Sequence, residues 1–245
     1  METINKWLEN FKADFYLNFI KEDRWKLLLE GLGNTLLITL FAVLLGIVLG
    51  VLVAAVRSTW DKNSASMQRG PAKELLRMLN WISKLYLTII RGTPVVVQLL
   101  IMYFVIFASS NNKLLIAIIA FGINSGAYVA EIVRSGIMSI DPGQMEAGRS
   151  LGFNYTQTMI YIVLPQALKN VLPALANEFI VLLKETSVSG YIALQDLTKA
   201  GDIIRGRTYS AFMPLIAVAL IYLTMVIILS WLVTKLERRL RNSER

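Results

Sequence analysis

The chain has 245 residues, of which 55% are apolar and 17% charged, and it carries a formal net charge of +8. Soluble domains usually contain about a quarter charged residues, so this composition indicates a lipid environment. The absence of histidine and cysteine excludes disulfides, thiol nucleophiles, histidine acid–base catalysis and metal sites built from these ligands. Because the positive charge flanks apolar stretches, it predicts membrane orientation rather than nucleic-acid binding.

The N-terminal segment, residues 1–30, mixes aromatic residues with acids and bases. It lacks the basic start and apolar run of a secretory signal, so the first membrane span is expected to serve as the insertion signal. Phe15, Phe19 and Trp25 could lie at the membrane interface while the lysines face water, which predicts an interfacial amphipathic helix. A poorly ordered soluble tail is the alternative.

Five stretches are predicted to be transmembrane helices, because each has about the 18 residues needed to cross the hydrocarbon core. They lie at residues 34–56, 85–107, 114–137, 166–183 and 212–234. The fourth is expected to be interrupted by Pro173 and contains Glu178. We therefore predict an all-α membrane protein with its transmembrane domain at residues 31–240.

Basic residues predict the orientation of these spans. The loop between the first two spans, residues 57–84, holds six of them, and the C-terminal tail holds five: Lys235, Arg238, Arg239, Arg241 and Arg245. The positive-inside bias places that loop, the segment around Asp141 and the tail in the cytoplasm. Five spans then leave the N-terminus outside, although residues 1–30 also carry five basic residues.

The segment between spans three and four, residues 141–153, predicts a short polar helix on the cytoplasmic face. Asp141 can cap a helix that begins at Pro142, and Gln144 occupies the capping-box position. Small residues follow in this helix, Gly152 permits a turn, and a second short helix is predicted to end at Leu164-Pro165. Such an element could dock against another protein, and a plain surface loop is the alternative.

A resemblance to a known family follows from these residues. The run Glu146-Ala147-Gly148, then Gly152, then Leu164-Pro165 resembles the EAA motif of bacterial ABC importer permeases. Gly148 stands where that motif usually has a second alanine. The resemblance implies that residues 141–153 contain the coupling helix, which inserts into a cleft of a separate cytoplasmic ATPase.

The wider chain resembles the polar amino acid permeases of the histidine, glutamine and arginine type. The matching pieces are Gly31–Leu36, Arg91–Leu99, Gly126–Arg134, Leu164–Ala167 and Leu183–Ser187. The resemblance implies a type I ABC importer transmembrane domain that binds no cofactor itself. It also implies a partner ATPase dimer that uses ATP and magnesium, a second permease subunit and an extracytoplasmic solute-binding protein.

Polar residues inside the spans are candidates for a substrate pathway, because charges in the bilayer usually face a partner or an aqueous cavity. Arg91 could hold a substrate carboxylate beside a backbone loosened by Gly92, Thr93 and Pro94, or it could snorkel to the interface beside a helix kink. Gln98 could add a hydrogen bond to substrate or to another helix.

Other polar residues of the third and fourth spans can be interpreted either as part of the substrate pathway or as structural. Glu131 and Arg134, three residues apart, favour a structural ion pair. Asn177 and Glu178 lie in the middle of the fourth span as pathway candidates. Glu178 could contact a substrate ammonium or a cationic side chain, or it could pair with Lys184 or Arg91. A last group could line the pathway or simply end the fourth span: Lys184, Glu185, Thr186 and Ser187.

Two other functional classes would have different sequence features. A stand-alone channel or secondary transporter would transport without an ATPase and would show internal repeats of the spans, and no clear repeat is visible. A membrane-embedded enzyme predicts paired carboxylates, a metal cluster or an activated nucleophile, and Glu131 and Glu178 belong to no catalytic motif. The chain also lacks a phosphate-binding loop, so the leading prediction assigns ATP hydrolysis to a partner.

Overall fold

A computed structural model describes residues 2–65 and 67–242. Met1, Ser66 and the last three residues, including Arg245 of the predicted basic tail, lie outside the described residues. The described residues are mostly helical and contain no strand. Its α-helices are α1 (Glu2–Phe15), α2 (Trp25–Asn63), α3 (Pro71–Gly92), α4 (Val95–Ile101), α5 (Lys113–Met138), α6 (Pro142–Ser150), α7 (Tyr155–Thr158), α8 (Leu164–Glu185), α9 (Leu197–Thr208) and α10 (Phe212–Asn242).

The structure confirms about five membrane-spanning elements. Four helical stretches are long and apolar enough to cross a membrane: Trp25–Asn63, Lys113–Met138, Tyr155–Ile192 and Phe212–Leu240. The fifth consists of α3 and α4, which are bent by 108° relative to each other. A π-helical turn extends α4 to Ile106.

The predicted second span, residues 85–107, is therefore not one straight helix. Thr93 and Pro94 have extended backbone angles and separate α3 from α4. Pro94 cannot donate the hydrogen bond that would continue the helix, and its ring hinders the residue before it from being helical. The predicted loop 57–84 is also largely helical, because α2 continues to Asn63 and α3 begins at Pro71.

The predicted fourth span needs two corrections. Pro173 lies inside α8 and does not interrupt it. Leu164-Pro165 does not end a short helix, because α7 continues through a π-helical segment (Met159–Val163) directly into α8. The wider π-helical turn accommodates the missing N–H of Pro165, so the chain remains helical where the sequence predicted a stop.

Close packing of α2 against α5 forms the centre of the bundle. Gly46 and Gly50 of α2 face Ser125 and Val129 of α5, where an added Cβ would come within about 3.0 and 2.5 Å of its neighbours, respectively. Small residues let membrane helices approach closely, because backbone contact and dispersion replace the hydrophobic drive of water. The adjoining apolar core joins α2, α4, α5 and α8 through Ile38, Leu99, Phe121, Leu182 and other buried side chains.

The N-terminal segment is attached to this bundle. Trp7 and Phe11 of α1 stack with ring centroids 5.6 Å apart and are exposed. Further along, Phe19 packs into an apolar cluster with Leu197 of α9. The predicted boundary at residue 30 lies inside α2, which already begins at Trp25. The exposed aromatic face of α1 suits the predicted interfacial position, which stays a prediction.

Candidate functional site

The segment predicted to couple to an ATPase forms a capped helix, α6. The Asp141 carboxylate accepts a hydrogen bond from the Gly143 N–H at 2.6 Å, and Pro142 is in the first turn, as predicted. The predicted capping-box role of Gln144 is wrong, because its side-chain oxygen accepts from Gln166 Nε2 at 3.2 Å. That bond connects α6 to α8.

The predicted coupling residues divide into an exposed and a buried group. Glu146, Ala147, Gly152 and Pro165 are exposed. Gly148 is buried against the next helical segment, where a Cβ would lie 2.4 Å from Thr158 Cγ2. Leu164, the remaining residue of the motif, is partly buried and packs against the apolar cluster around Ile137 and Val163.

Two apolar side chains of this surface were missed by the sequence analysis. Leu151 is 74% exposed and Tyr161 is 69% exposed. The ring of Tyr161 lies 6.3 Å from that of Phe153, next to the turn at Gly152. Large apolar residues in an otherwise polar segment were the available signal, since exposed apolar patches mark interaction sites.

Arg91 and Glu178, two of the predicted pathway residues, line one cavity of about 630 Å³. The cavity lies between α3, α5 and α8, and its volume is in the range of small-molecule sites. Its other polar lining comes from residues that the sequence analysis left out or assigned to structure: Tyr128, Glu131, Arg134, Ser135, Ser139 and Asn170.

An ion-pair network crosses three helices at this cavity. The predicted pair of Glu131 and Arg134 is present at 3.2 Å. Glu131 also lies 4.0 Å from Arg91 of α3, and Arg134 lies 3.4 Å from Asp61 of α2. Arg91 stacks at 5.7 Å from the centroid of the Tyr128 ring. Arg91 is thus held in place while its exposed guanidinium still faces the cavity.

Glu178 is buried and 8% exposed. Its carboxylate accepts a hydrogen bond from the Ser125 hydroxyl of α5 at 2.9 Å. Among the ion pairs of the described residues it pairs with neither Lys184 nor Arg91, so the two predicted structural pairings are wrong. The cavity therefore contains the Glu178 carboxylate, which forms no ion pair with a cation among the described residues.

Gln98 bridges the break between α3 and α4. Its Nε2 donates to the Ile90 carbonyl at 2.7 Å and to the Thr93 carbonyl at 3.0 Å. Pro94 leaves the Ile90 carbonyl without its helical donor, and Gln98 replaces that donor. The Gln98 side-chain oxygen accepts from Asn124 of α5 at 3.0 Å. The side chain therefore serves the bend and a helix contact, and it lines a recess other than the Arg91 cavity.

The remaining predicted pathway residues lie elsewhere. Asn177 and Lys184 are exposed on one face of α8, seven residues apart. Glu185 is partly buried, and Thr186 is buried and donates to the Leu183 carbonyl at 2.8 Å. Ser187 lines a separate cavity beside α9. In the described residues no group of three or more acids could hold a metal ion.

Comparison with known proteins assigns the chain to a family. Residues 72–242 match the family described as "Binding-protein-dependent transport system inner membrane component". The chain belongs to this family. It is accordingly a permease subunit and a multi-pass protein of the bacterial inner membrane.

Several relatives extend the match over nearly the whole chain. The arginine transport system permease protein ArtQ of Bacillus subtilis (strain 168) is 35% identical over 220 residues, covering 89% of this chain and 94% of that protein. The probable glutamine ABC transporter permease protein GlnM of the same organism is 37% identical over 226 residues, covering 90% and 96%. The glutamine transport system permease protein GlnP of Escherichia coli (strain K12) is 34% identical over 221 residues, covering 88% and 93%.

Solved structures confirm the architecture. A chain of the crystal structure of an amino acid ABC transporter with histidines is 39% identical, with a TM-score of 0.78, covering 90% of this chain and 98% of that one. A chain of the inward-facing MetNI methionine ABC transporter is 21% identical, with a TM-score of 0.72, covering 88% and 97%, and supports the fold. Both favour the type I ABC importer fold over a secondary transporter.

Proposed function

We propose that this permease subunit forms half of the pathway of an ATP-driven importer of polar amino acids. The relatives named for arginine and glutamine transport support this substrate class, as does the similar amino acid transporter of known structure. A second permease subunit, identical or related, completes the pathway. An extracytoplasmic binding protein delivers the amino acid from the other side.

The exposed, capped helix α6 is the observation that carries the proposal. Asp141 fixes its start, and Glu146, Ala147 and Leu151 project from it. The bond between Gln144 and Gln166 joins α6 to α8, the helix that carries Glu178. A movement of α6 by an ATPase would therefore be transmitted to α8, and ATP would be hydrolysed on that separate subunit.

The cavity between α3, α5 and α8 is the proposed substrate site of this chain. Arg91 suits the substrate carboxylate, since a guanidinium binds a carboxylate through paired hydrogen bonds. The Glu178 carboxylate suits the substrate ammonium. Asn177 and Lys184 lie outside this cavity and reach the pathway only where the second subunit approaches the exposed face of α8. Ser187 follows the end of α8 and lines the separate cavity beside α9.

The proposed mechanism is alternating access, in which movement of α6 opens the cavity lined by Arg91 and Glu178 to one side of the membrane and then to the other. Closure of the two ATPases would bring the α6 helices of the two permease subunits together. Rigid-body rocking of the subunits would then expose the Arg91–Glu178 cavity to one side of the membrane at a time. The ion-pair network keeps α3 and α5 together during this movement, because Glu131 joins Arg91 to Arg134.

The test is uptake of a panel of polar amino acids into liposomes that contain the permease, its ATPase and its binding protein. We expect ATP-dependent uptake of one substrate class and its loss, by at least about tenfold, in Ala147→Asp, since about 1.4 kcal/mol of lost docking already gives that factor. Ala147 is exposed. The substitution therefore adds a charge to the docking surface without entering the core.

Gly70→Asp is the matched control. An added Cβ there has nothing within 4 Å, and its extended backbone (φ 175°) accepts any residue. Gly152→Asp is a poorer choice, because Gly152 has φ +85° and any side chain strains it. Uptake that needs no ATP and survives Ala147→Asp would instead identify a stand-alone secondary transporter.

A further inference from the structure

A second, basic recess of about 500 Å³ lies between α2 and α3 and adjoins the proposed substrate cavity, with which it shares Arg91 and Glu131. Arg57 of α2 lines it together with Lys84, Thr88 and Arg91 of α3, and Glu131 of α5 is its acidic residue. Three cations therefore face one carboxylate. Arg134 already shares that carboxylate at 3.2 Å.

Two of these cations lack an acidic partner among the described ion pairs. Arg57 Nη1 donates to the neutral side chain of Asn80 at 3.1 Å, and its Nε is buried without a hydrogen-bond acceptor. The exposed Lys84 ammonium has no partner in the described part of the chain. The recess thus presents both the forked donor geometry of arginine and a mobile lysine, which together suit the oxygens of a phosphate.

The position of the recess at the membrane boundary limits what can occupy it. Arg57 is the first charged residue after the apolar stretch of α2, and Lys84 comes directly before the apolar end of α3. On the outer side of α3, Ile82, Leu85 and Ile89 are exposed at helical spacing. Trp81, 63% exposed, is typical of the level of lipid headgroups.

We propose that this recess binds the phosphate of an anionic phospholipid of the cytoplasmic leaflet. Arg57 and Lys84 hold the phosphate oxygens, and an acyl chain lies along the exposed apolar face of α3. Basic recesses between membrane helices on this side select anionic headgroups. A zwitterionic lipid carries its own cation, which Arg57, Lys84 and Arg91 would repel. The site also gives a role to the basic segment between the first two spans.

Native mass spectrometry of the purified transporter complex tests the proposal. The complex is equilibrated with equal amounts of phosphatidylglycerol and phosphatidylcholine, and the bound lipids are counted. We expect the wild type to retain about tenfold more phosphatidylglycerol than phosphatidylcholine, which corresponds to a binding preference of about 1.4 kcal/mol. Arg57→Gln combined with Lys84→Gln is expected to abolish this preference. Arg91 stays native because it also lines the proposed substrate cavity.

Arg77→Gln is the matched control, because it removes one charge from the same helix two turns before Lys84. It should keep the preference, and so should Arg57→Lys with Lys84→Arg. An equal loss in Arg77→Gln would overturn the site in favour of diffuse attraction. Displacement of the lipid by an excess of inorganic phosphate would overturn it in favour of a soluble anion. Should the double variant not fold, Lys84→Gln alone, at an exposed position, must lower the preference.

Discussion

At the scale of single residues, Gln98 shows how one side chain stabilises a broken helix. Its amide donates to the Ile90 carbonyl, which Pro94 deprives of a donor, and to the Thr93 carbonyl. In lipid an unsatisfied carbonyl is costly, because no water replaces the lost hydrogen bond. The bend between α3 and α4 therefore depends on this amide as well as on the proline.

Replacing Gln98 by leucine should destabilise the permease by about 1–3 kcal/mol, the cost of leaving a carbonyl group without its hydrogen-bond donor. A lower apparent melting temperature of the detergent-purified protein is the expected measurement. Val97→Ala serves as the control, because Val97 is the neighbouring residue and is 42% exposed. An unchanged melting temperature for Gln98→Leu would show that the bend needs no such donor.

At the scale of elements, α9 depends on a buried cap that closes the bundle outside the spans. The Asp196 carboxylate accepts from the N–H groups of Thr198 at 2.9 Å and Lys199 at 3.2 Å. The side chain is fully buried, and burial raises the pKa of Asp196 above its ordinary value of 3.8. The same cap positions Leu197, whose N–H donates to the Thr35 hydroxyl of α2 at 3.1 Å.

The raised pKa of Asp196 predicts a pH dependence of stability. Between 3.8 and the raised pKa the folded protein holds a proton that the unfolded chain releases, so the stability contribution of this group falls as pH rises through that window. Asp196→Asn keeps a capping oxygen and does not titrate. Its stability relative to wild type should therefore rise with pH above 3.8 and level off above the raised pKa.

Asp196→Ala is the matched comparison, because it removes the cap at every pH and should cost about 1 kcal/mol. Melting temperatures of the three proteins from acidic to neutral pH provide the measurement. A constant difference between wild type and Asp196→Asn over this range would contradict the buried, proton-binding cap.

At the scale of the whole molecule, the approach of α2 to α5 determines whether the bundle closes. An alanine Cβ at Gly50 would lie 2.5 Å from Val129 Cγ1 and 2.9 Å from the Ala130 nitrogen, so the helices would have to separate. Overpacking of this kind typically costs about 1–3 kcal/mol. The cavity lined by Arg91 and Glu178 lies beside this contact, so its shape depends on it.

Gly50→Ala should lower the melting temperature and the yield of folded permease. Gly33→Ala, in the same helix but with nothing within 4 Å of an added Cβ, should be neutral or stabilising by up to about 1 kcal/mol. Adding Val129→Ala to Gly50→Ala should recover little of the loss, because the Val129 Cβ and the Ala130 nitrogen would still lie 2.6 and 2.9 Å from the added Cβ. Equal effects of the two glycine substitutions would contradict the packing argument.

Composition and local pattern were sufficient for the class of the protein and for most of its elements. Long uncharged stretches have one physical solution in lipid, the helix, because every backbone group must be satisfied within the segment. The cap at Asp141 and the ion pair of Glu131 with Arg134 were also predictable, because both join residues close in sequence. The spacing of the motif from Glu146 to Pro165 identified the family before any contact was visible.

Long-range contacts settled the rest. The burial of Gly148 against Thr158, the bond of Ser125 to Glu178 and the bridge from Arg134 to Asp61 join residues that local periodicity does not relate. The same holds at Pro173 and Pro94: one proline lies within a continuous helix and the other at a bend of 108°. Each proline removes one backbone donor and so frees one carbonyl group. Whether the helix bends there depends on which neighbouring groups bind that carbonyl, and on how the surrounding helices pack against the segments before and after the proline.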